Sequence, residues 1–491
     1  MVISPVHYIA FPLLAAFSIP LFSKIHKEAA RIIPGIVLFY NIIISFFLMN
    51  QVANQGIINE VISGWKAPWG INLVITPFTG FLATMISVVG FLIWLYGFRF
   101  KRTLKGGVVQ YYETLQMMMI AGSIGIIITG DIFNLFVFVE IVGITAFSLT
   151  AFYKSRDGAE AAFKYLLIGG LASAFLLLGI LLIYTQIGSL NMAKIAQEMP
   201  NVNSNIKIIA LIFFLVGLGI EAEMFPLNGW APDAYSQAPS PTSATFASVV
   251  SVAGVYALIR VIFTLFDVNG VNNYLMVMGF ITMLIAEIAA IKQKDLKRML
   301  AYSSIGQVGL VLIAFGIGSK LAIFGALFLL LNHGVIKSLL FMTGSYFIYN
   351  TDTKQLKSLN GIHKKLPFVS FLFALGALAI VGFPPFSGFW SKFYILMSAA
   401  DEKYIFLIIG ILLITVIEVT YYLRVVGRIY FAKEEGEFAS HKPSINAAIA
   451  MSILALFIVV IGIYPDLITN YINQAADALL DKSNYINQIL K

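Results

Sequence analysis

Residues 219–233 read Gly219-Ile220-Glu221-Ala222-Glu223-Met224-Phe225-Pro226-Leu227-Asn228-Gly229-Trp230-Ala231-Pro232-Asp233, and residues 381–392 read Val381-Gly382-Phe383-Pro384-Pro385-Phe386-Ser387-Gly388-Phe389-Trp390-Ser391-Lys392. Each stretch interrupts a long apolar run with proline, which removes a backbone donor and clashes with the preceding turn. At membrane depth such a break persists where protein or a wet cavity satisfies the freed carbonyls. The two Phe-Pro pairs lie 158 positions apart (383 less 225). With apolar spans four to eight and nine to thirteen taken as two units, each break falls in the fourth span of five. An odd number of spans per unit inverts the second unit relative to the first. Broken helices at matching positions of inverted repeats point to a transport pathway at the repeat interface; a packing kink beside small residues is the competing reading of either break alone.

The surroundings of these stretches are apolar throughout. Of 491 residues, 59% are hydrophobic and 11% charged, and the mean hydropathy is +0.89. Soluble domains carry roughly 25% charged residues, so lipid rather than water is the solvent for this surface. The expected fold class is all-α, a polytopic membrane protein with about fourteen spans of bilayer length. Their approximate limits are 6–23, 32–50, 73–98, 111–129, 131–153, 162–185, 206–226, 241–267, 272–292, 300–318, 320–349, 366–398, 403–431 and 444–464. The first run has no cleavage signature and reads as a retained span. The organisation is then a three-helix segment 1–110, repeats 111–267 and 268–431, and a last span with an amphipathic tail, 432–491. In that tail Leu467, Ile468, Tyr471, Ile472, Ala475 and Leu479 recur at helical spacing, which predicts a surface helix.

Basic residues test the count. Lys24, Lys27, Arg31; Arg99, Lys101, Arg102, Lys105; Lys154, Arg156; Lys292, Lys294, Lys297, Arg298; Lys354, Lys357, Lys364, Lys365; and Arg424, Arg428, Lys433, Lys442 all fall at connections that follow odd-numbered spans. The positive-inside bias makes that side cytoplasmic and puts both termini outside a plasma membrane. The connection after span seven has no basic residue. The net charge of +8 is accounted for by these loops, and nucleic acid is not an expected partner.

An ionisable side chain inside a span costs roughly 2.5–3.5 kcal/mol or more, so each is a functional candidate. Glu140 sits mid-span in an apolar run; it could exchange a proton or make a structural hydrogen bond as the neutral acid. Lys164, near the start of span six, could instead snorkel to the interface. His333 and Lys337, four residues apart, share a helix face beside Asn332 and suggest a proton relay; by position in the repeat they are matched with Lys164. Lys392 follows the second break. Glu221 and Glu223 precede the first break, about 200° apart on a helix, so one of them is expected to face the path. Auxiliary candidates are Glu287, which could pair at the interface with Lys292 a turn away; Glu418, flanked by Tyr421 and Tyr422; and Asp131, which could simply cap a helix. There is no cysteine, only five scattered histidines, and no nucleotide-binding or zinc-protease motif. No cofactor, metal or catalytic site is therefore expected in this chain.

Residues 225–240, the stretch Asp295-Leu296-Lys297-Arg298-Met299-Leu300-Ala301-Tyr302-Ser303-Ser304-Ile305-Gly306, the stretch Asn332-His333-Gly334-Val335-Ile336-Lys337-Ser338-Leu339-Leu340-Phe341 and residues 382–392 resemble the antiporter-like subunits of respiratory complex I, of Mrp-type sodium/proton antiporters and of membrane-bound hydrogenases. The resemblance covers spans four to thirteen. It implies fourteen spans, two inverted five-helix repeats, partner subunits in a larger membrane complex, and a membrane-plane chain of Glu, Lys and His that relays protons. By that likeness Glu140, Lys164, His333, Lys337 and Lys392 fall on relay positions. Two positions depart: the family usually has lysine where Glu221 stands, and often another near Val252. Glu140 could then pair with Lys164 or face Glu221. Two acids without a lysine would share a proton or suit a sodium ion. A self-contained secondary transporter of a small solute and a degenerate structural subunit are the alternatives to an ion-translocating subunit, and membership in a redox-driven complex stays open.

Overall fold

The computed structural model describes residues 3–62, 64–104, 107–266, 270–433 and 441–491; Lys105, counted above among the basic residues, lies outside them. Helices α1 (His7–Ile25) and α2 (Ala29–Gln55) precede a short antiparallel hairpin, β1 (Ile58–Val61) and β2 (Asn72–Ile75), which pairs Ile58 with Ile75 and Val61 with Asn72. Then come α3 (Pro77–Tyr96), the one-and-a-half-turn α4 (Phe98–Thr103), α5 (Val108–Ile128), α6 (Ile132–Thr150), α7 (Arg156–Ile187), α8 (Met192–Glu198), α9 (Ser204–Glu221), α10 (Ala231–Gln237), α11 (Ser240–Thr245) and, through a π-helical turn at Phe246–Val250, α12 (Ser251–Leu265). The second half follows as α13 (Asn272–Lys292), α14 (Leu296–Ile317), α15 (Lys320–Thr351), α16 (Pro367–Val381), α17 (Ser387–Asp401), α18 (Ile405–Phe431), α19 (Ile445–Ile463), α20 (Asp466–Leu480) and α21 (Lys482–Ile489). Among the described residues thirteen helices are long and apolar enough to cross a membrane, α11 through α12 counting as one. The broken pair α16–α17 supplies the fourteenth span. The chain is a multi-pass membrane protein.

Local signals set the helix ends. Asp131 caps α6, accepting from the main-chain N–H groups of Phe133 and Asn134. Asp295 caps α14 through Arg298 N–H, and Ser155 and Ser319 cap α7 and α15. These caps also reveal the internal repeat. Asp131 bridges Asn191, and Asp295 bridges Gln355. The flanking main-chain bonds match: Ile132 to Leu190 and Met192 to Gly130, against Leu296 to Lys354 and Leu356 to Lys294. The offset is a constant 164 positions (295 less 131, 355 less 191, 319 less 155). Both α7 and α15 have 32 residues, about 48 Å at the helical rise.

The connections alternate between two faces. On one, the basic loops bond to one another: Lys354 O accepts from Leu296, Arg428 O from Gly361, and Lys442 O from Arg99. On the other, Asn72 O accepts from Gly130 N–H, Asn191 donates to Asn72, and Lys320 pairs with Asp477 at 2.6 Å. The connection after span seven, which lacks a basic residue of its own, lies on the basic face and borrows charge from its neighbours. Arg298 pairs with Asp233 at 2.5 Å, while Lys297 and Lys354 donate to the main-chain oxygens of Ala238 and Ser236. The tail helix α20 departs from its predicted face. Ile472, Ala475, Ala476 and Leu479 are buried against α3 and α15, whereas Leu467 and Tyr471 point away. It packs on the protein as well as presenting apolar surface outward.

Candidate ion-translocation site

Both breaks end a helix, and their prolines, Pro226, Pro384 and Pro385, lie at the surface. The first ends α9 at Glu221, and Glu223 adopts a left-handed φ of 57°, a region few non-glycine residues occupy. Trp230 Nε1 donates to the freed Ile220 carbonyl at 3.2 Å. The second ends α16 at Gly382, with φ 87°. Because the helix stops at Glu221, the 200° separation expected of two helical neighbours does not apply. Both acids are buried: Glu221 has Glu140 and Glu223 as electrostatic neighbours, and Glu223 accepts a hydrogen bond from Tyr235 Oη at 2.5 Å and has Lys337 as an electrostatic neighbour. Their separation is therefore set by the break rather than by helical spacing, and both carboxylates are buried.

In the first half Glu140, on α6, accepts from the Ser173 hydroxyl of α7. Lys164 does not reach it. Nine residues from Ser173 along α7, about 13 Å at the helical rise, Lys164 is half-exposed and pairs with Glu160 at 2.8 Å and Asp233 at 3.2 Å. The 164-residue offset also re-registers the repeats. The counterpart of Lys337 is Ser173 and that of Lys164 is Phe328, so the matching of Lys164 with His333 and Lys337 by span position is corrected. Val252 is fully buried; beside it Ser251 faces Glu223.

The second half is denser. Lys337 donates to Ser303 Oγ at 2.6 Å and to Tyr422 Oη at 3.3 Å. His333 is buried next to Lys337 and the main chain of Ala247 in the π turn, and neither ring nitrogen has a hydrogen bond of regular geometry among the described residues. Asn332 donates to the Ser387 carbonyl at 2.9 Å, tying α15 to the start of α17. Lys392 pairs with Glu418 at 2.5 Å, their side chains 8% and 0% exposed, and Gln307 donates to the other Glu418 oxygen at 2.7 Å. Glu287 does not pair with Lys292. It is fully buried, with Glu418, Lys337 and Lys392 as electrostatic neighbours and Tyr421 at its carboxyl. Gly306 leaves the room it occupies, since a Cβ there would overlap its carboxyl oxygen. Asp131 is a helix cap on the hairpin face, and burial raises its carboxyl above the ordinary range against the two N–H groups it accepts from.

Sequence reasoning missed Tyr235, Ser303, Gln307 and Asp233, neutral or loop residues without any local signal, and noted Tyr422 only as a neighbour of Glu418. It also missed Glu113, which lies at the margin of span four, and counted its partner Lys101 merely as a loop base.

Two helical units in a common register, each with a broken helix and with acids and bases inside its apolar spans, define an antiporter-like membrane protein. The chain belongs to the family described as NADH:quinone oxidoreductase/Mrp antiporter, transmembrane, whose model matches residues 129–418. It is 36% identical over 374 residues to NADH-quinone oxidoreductase subunit N of Desulforudis audaxviator (strain MP104C), covering 75% of this chain and 74% of that one. It is 29% identical over 493 residues to a Na(+)/H(+) antiporter subunit of Alkalihalophilus pseudofirmus, covering 98% of each. A chain in the structure of the membrane-bound sulfane sulfur reductase, an archaeal respiratory membrane complex, superposes with a TM-score of 0.93 at 37% identity, over 99% of this chain and 100% of that one.

Proposed function

We propose that this chain translocates protons across the plasma membrane as one subunit of a multisubunit complex, along a row running Glu140, Glu221, Glu223, Lys337 with His333, Glu287 with Glu418, and Lys392. The repeats that frame the row are residues 111–267 and 268–431. The observation that carries this reading is Glu223, which accepts from Tyr235 Oη and stands in the electrostatic field of Glu221 in the first half and of Lys337 in the second. A carboxyl hydrogen-bonded to a hydroxyl and held in the field of a buried amine is placed to pass a proton onward, and intramembrane ionisable groups in sequence are the usual proton relay. Lys164 belongs in this reading to the basic face, beside Asp233, rather than to the row. The basic face is cytoplasmic by the positive-inside bias, which places both terminal segments outside.

A sodium-binding role for the first half would draw on the carboxylate oxygens of Glu140, Glu221 and Glu223, the ligands hard cations prefer, but among the described residues no three acids are placed to hold one ion together. The purified complex in proteoliposomes separates the two. With Glu140→Gln, proton translocation is expected to fall to background with assembly intact, in sodium-free medium as well as in sodium. Unchanged translocation overturns the row, and loss confined to sodium medium selects the sodium reading.

A further inference from the structure

The basic face carries a second buried charge site that the row does not use. Lys101 of α4 and Glu113 of α5 pair at 2.9 Å with side chains 1% and 4% exposed, beside a face of Trp94 that lies 4.7 Å from the amine. Burial pulls the Lys101 amine below its ordinary value while the Glu113 carboxylate pushes it back up. One turn further along α5, Gln116 donates to Tyr112 Oη at 2.7 Å and to Thr242 Oγ1 at 2.8 Å, and Thr242 lies 3.3 Å from that same tyrosine oxygen. Gln116 Oε1 is buried without a partner among the described residues. Between these groups lies a cavity of about 20 Å³ bordered by Lys101, Glu113, Gln116 and Thr245. A polar void of roughly 10–15 Å³ or more on this measure accepts one water with two to four polar partners. Beyond Thr242 the same helix runs through the π turn to Ala247, which faces His333. A larger cavity of about 90 Å³, bordered by Arg99 and Ser240, lies on the other side of Pro241, which borders both.

From this arrangement we infer that Lys101, Glu113, Gln116, Tyr112 and Thr242 form a proton inlet from the basic face to His333. This rests on the proton-relay reading above. Glu113, on parting from Lys101, takes a proton from the aqueous side and hands it to a water in the small cavity. That water protonates one hydroxyl of the Tyr112–Thr242 pair as the other releases a proton toward the π turn, so each hydroxyl gains one proton and loses one. Gln116 holds the two hydroxyls in line. His333, whose ring nitrogens hold no regular hydrogen bond among the described residues, is the acceptor. A lysine in the throat repels sodium, whereas a proton passes by exchange, so the inlet discriminates in favour of protons.

The test uses the intact complex in proteoliposomes, with assembly read by size-exclusion chromatography and proton uptake by a pH-sensitive dye. Lys392→Met serves as the reference for the relay itself. Glu113→Gln and the near-isosteric Thr242→Val are each expected to slow proton uptake at least tenfold in assembled complex, with a larger H₂O/D₂O rate ratio than the unaltered protein. If Lys392→Met abolishes uptake while both inlet variants run at the normal rate, the inlet is overturned and the relay stands. If Lys392→Met also leaves uptake unchanged, the relay reading itself has failed. Should Glu113→Gln prevent assembly, Thr242→Val decides, because it removes one hydroxyl and no charge: a normal rate overturns the inlet and a tenfold loss sustains it.

Discussion

Lys392 and Glu418 meet at 2.5 Å with almost no solvent, so removing one partner strands the other charge. Breaking a buried pair by deleting one member costs about 3–5 kcal/mol, whereas replacing both by neutral groups of similar volume is close to neutral. Gln307, which donates to Glu418, holds one carboxylate oxygen in either case and keeps Lys392→Met toward the lower end of that range. Lys392→Met and Glu418→Gln are therefore each expected to lower stability by about 3 kcal/mol. The double variant should lie close to the unaltered protein in stability, so the coupling energy approaches the sum of the two single losses, about 5–6 kcal/mol, above the range of about 0.5–3 kcal/mol usual for residues in one network. The assay is reversible unfolding in mixed micelles for all four members of the cycle, with proton uptake measured in parallel. Uptake should be lost in the double variant as well, because stability returns and the titratable pair does not. A coupling energy near zero would falsify the buried-pair argument, and normal uptake in the double variant would remove these residues from the row.

Other consequences are smaller in scope. Gly306→Ala should destabilise by about 1–3 kcal/mol, the usual cost of overpacking, because its new methyl overlaps the Glu287 carboxyl; adding Glu287→Ala should relieve it, and the unfolding midpoints of the two variants would show whether it does. Ser173→Ala removes the hydroxyl donated to the half-buried Glu140 and should cost about 0.5–1.5 kcal/mol, the net worth of one hydrogen bond, with a matching fall in the unfolding midpoint; no change would mean that Glu140 finds another donor. Asp233→Asn loses ion pairs to the half-exposed Lys164 and Arg298, and solvent screening limits the effect to about 1 kcal/mol or less. Assembly and uptake close to normal are the expected result for Asp233→Asn, and abolition of uptake would place Asp233 in the row.

Much of the fold is legible along the chain because bilayer length, basic loops and proline breaks are local signals. The parity of basic residues in connections predicts the two faces that the loop bonds display, and the Phe-Pro pairs predict where α9 and α16 stop. The hairpin β1–β2 carried no such signal, being two four-residue strands within the link between α2 and α3. The buried face of α20 depended on which neighbours it meets.

Within the site, the sequence by itself determined which acids and bases lie inside apolar runs, since an ionisable group there is conspicuous whatever surrounds it. Only the tertiary structure decided their partners. Lys164 and Glu140 look like a pair on paper but are separated by the climb of α7. Glu223 turns inward because α9 ends two residues before it. Glu287 joins Glu418 because Gly306 leaves room for its carboxyl. Lys101 of α4 and Glu113 of α5 meet as a buried pair. A charge declares its cost through local context, but its compensation comes from side chains on other helices, and those distances are set by packing that no single segment encodes.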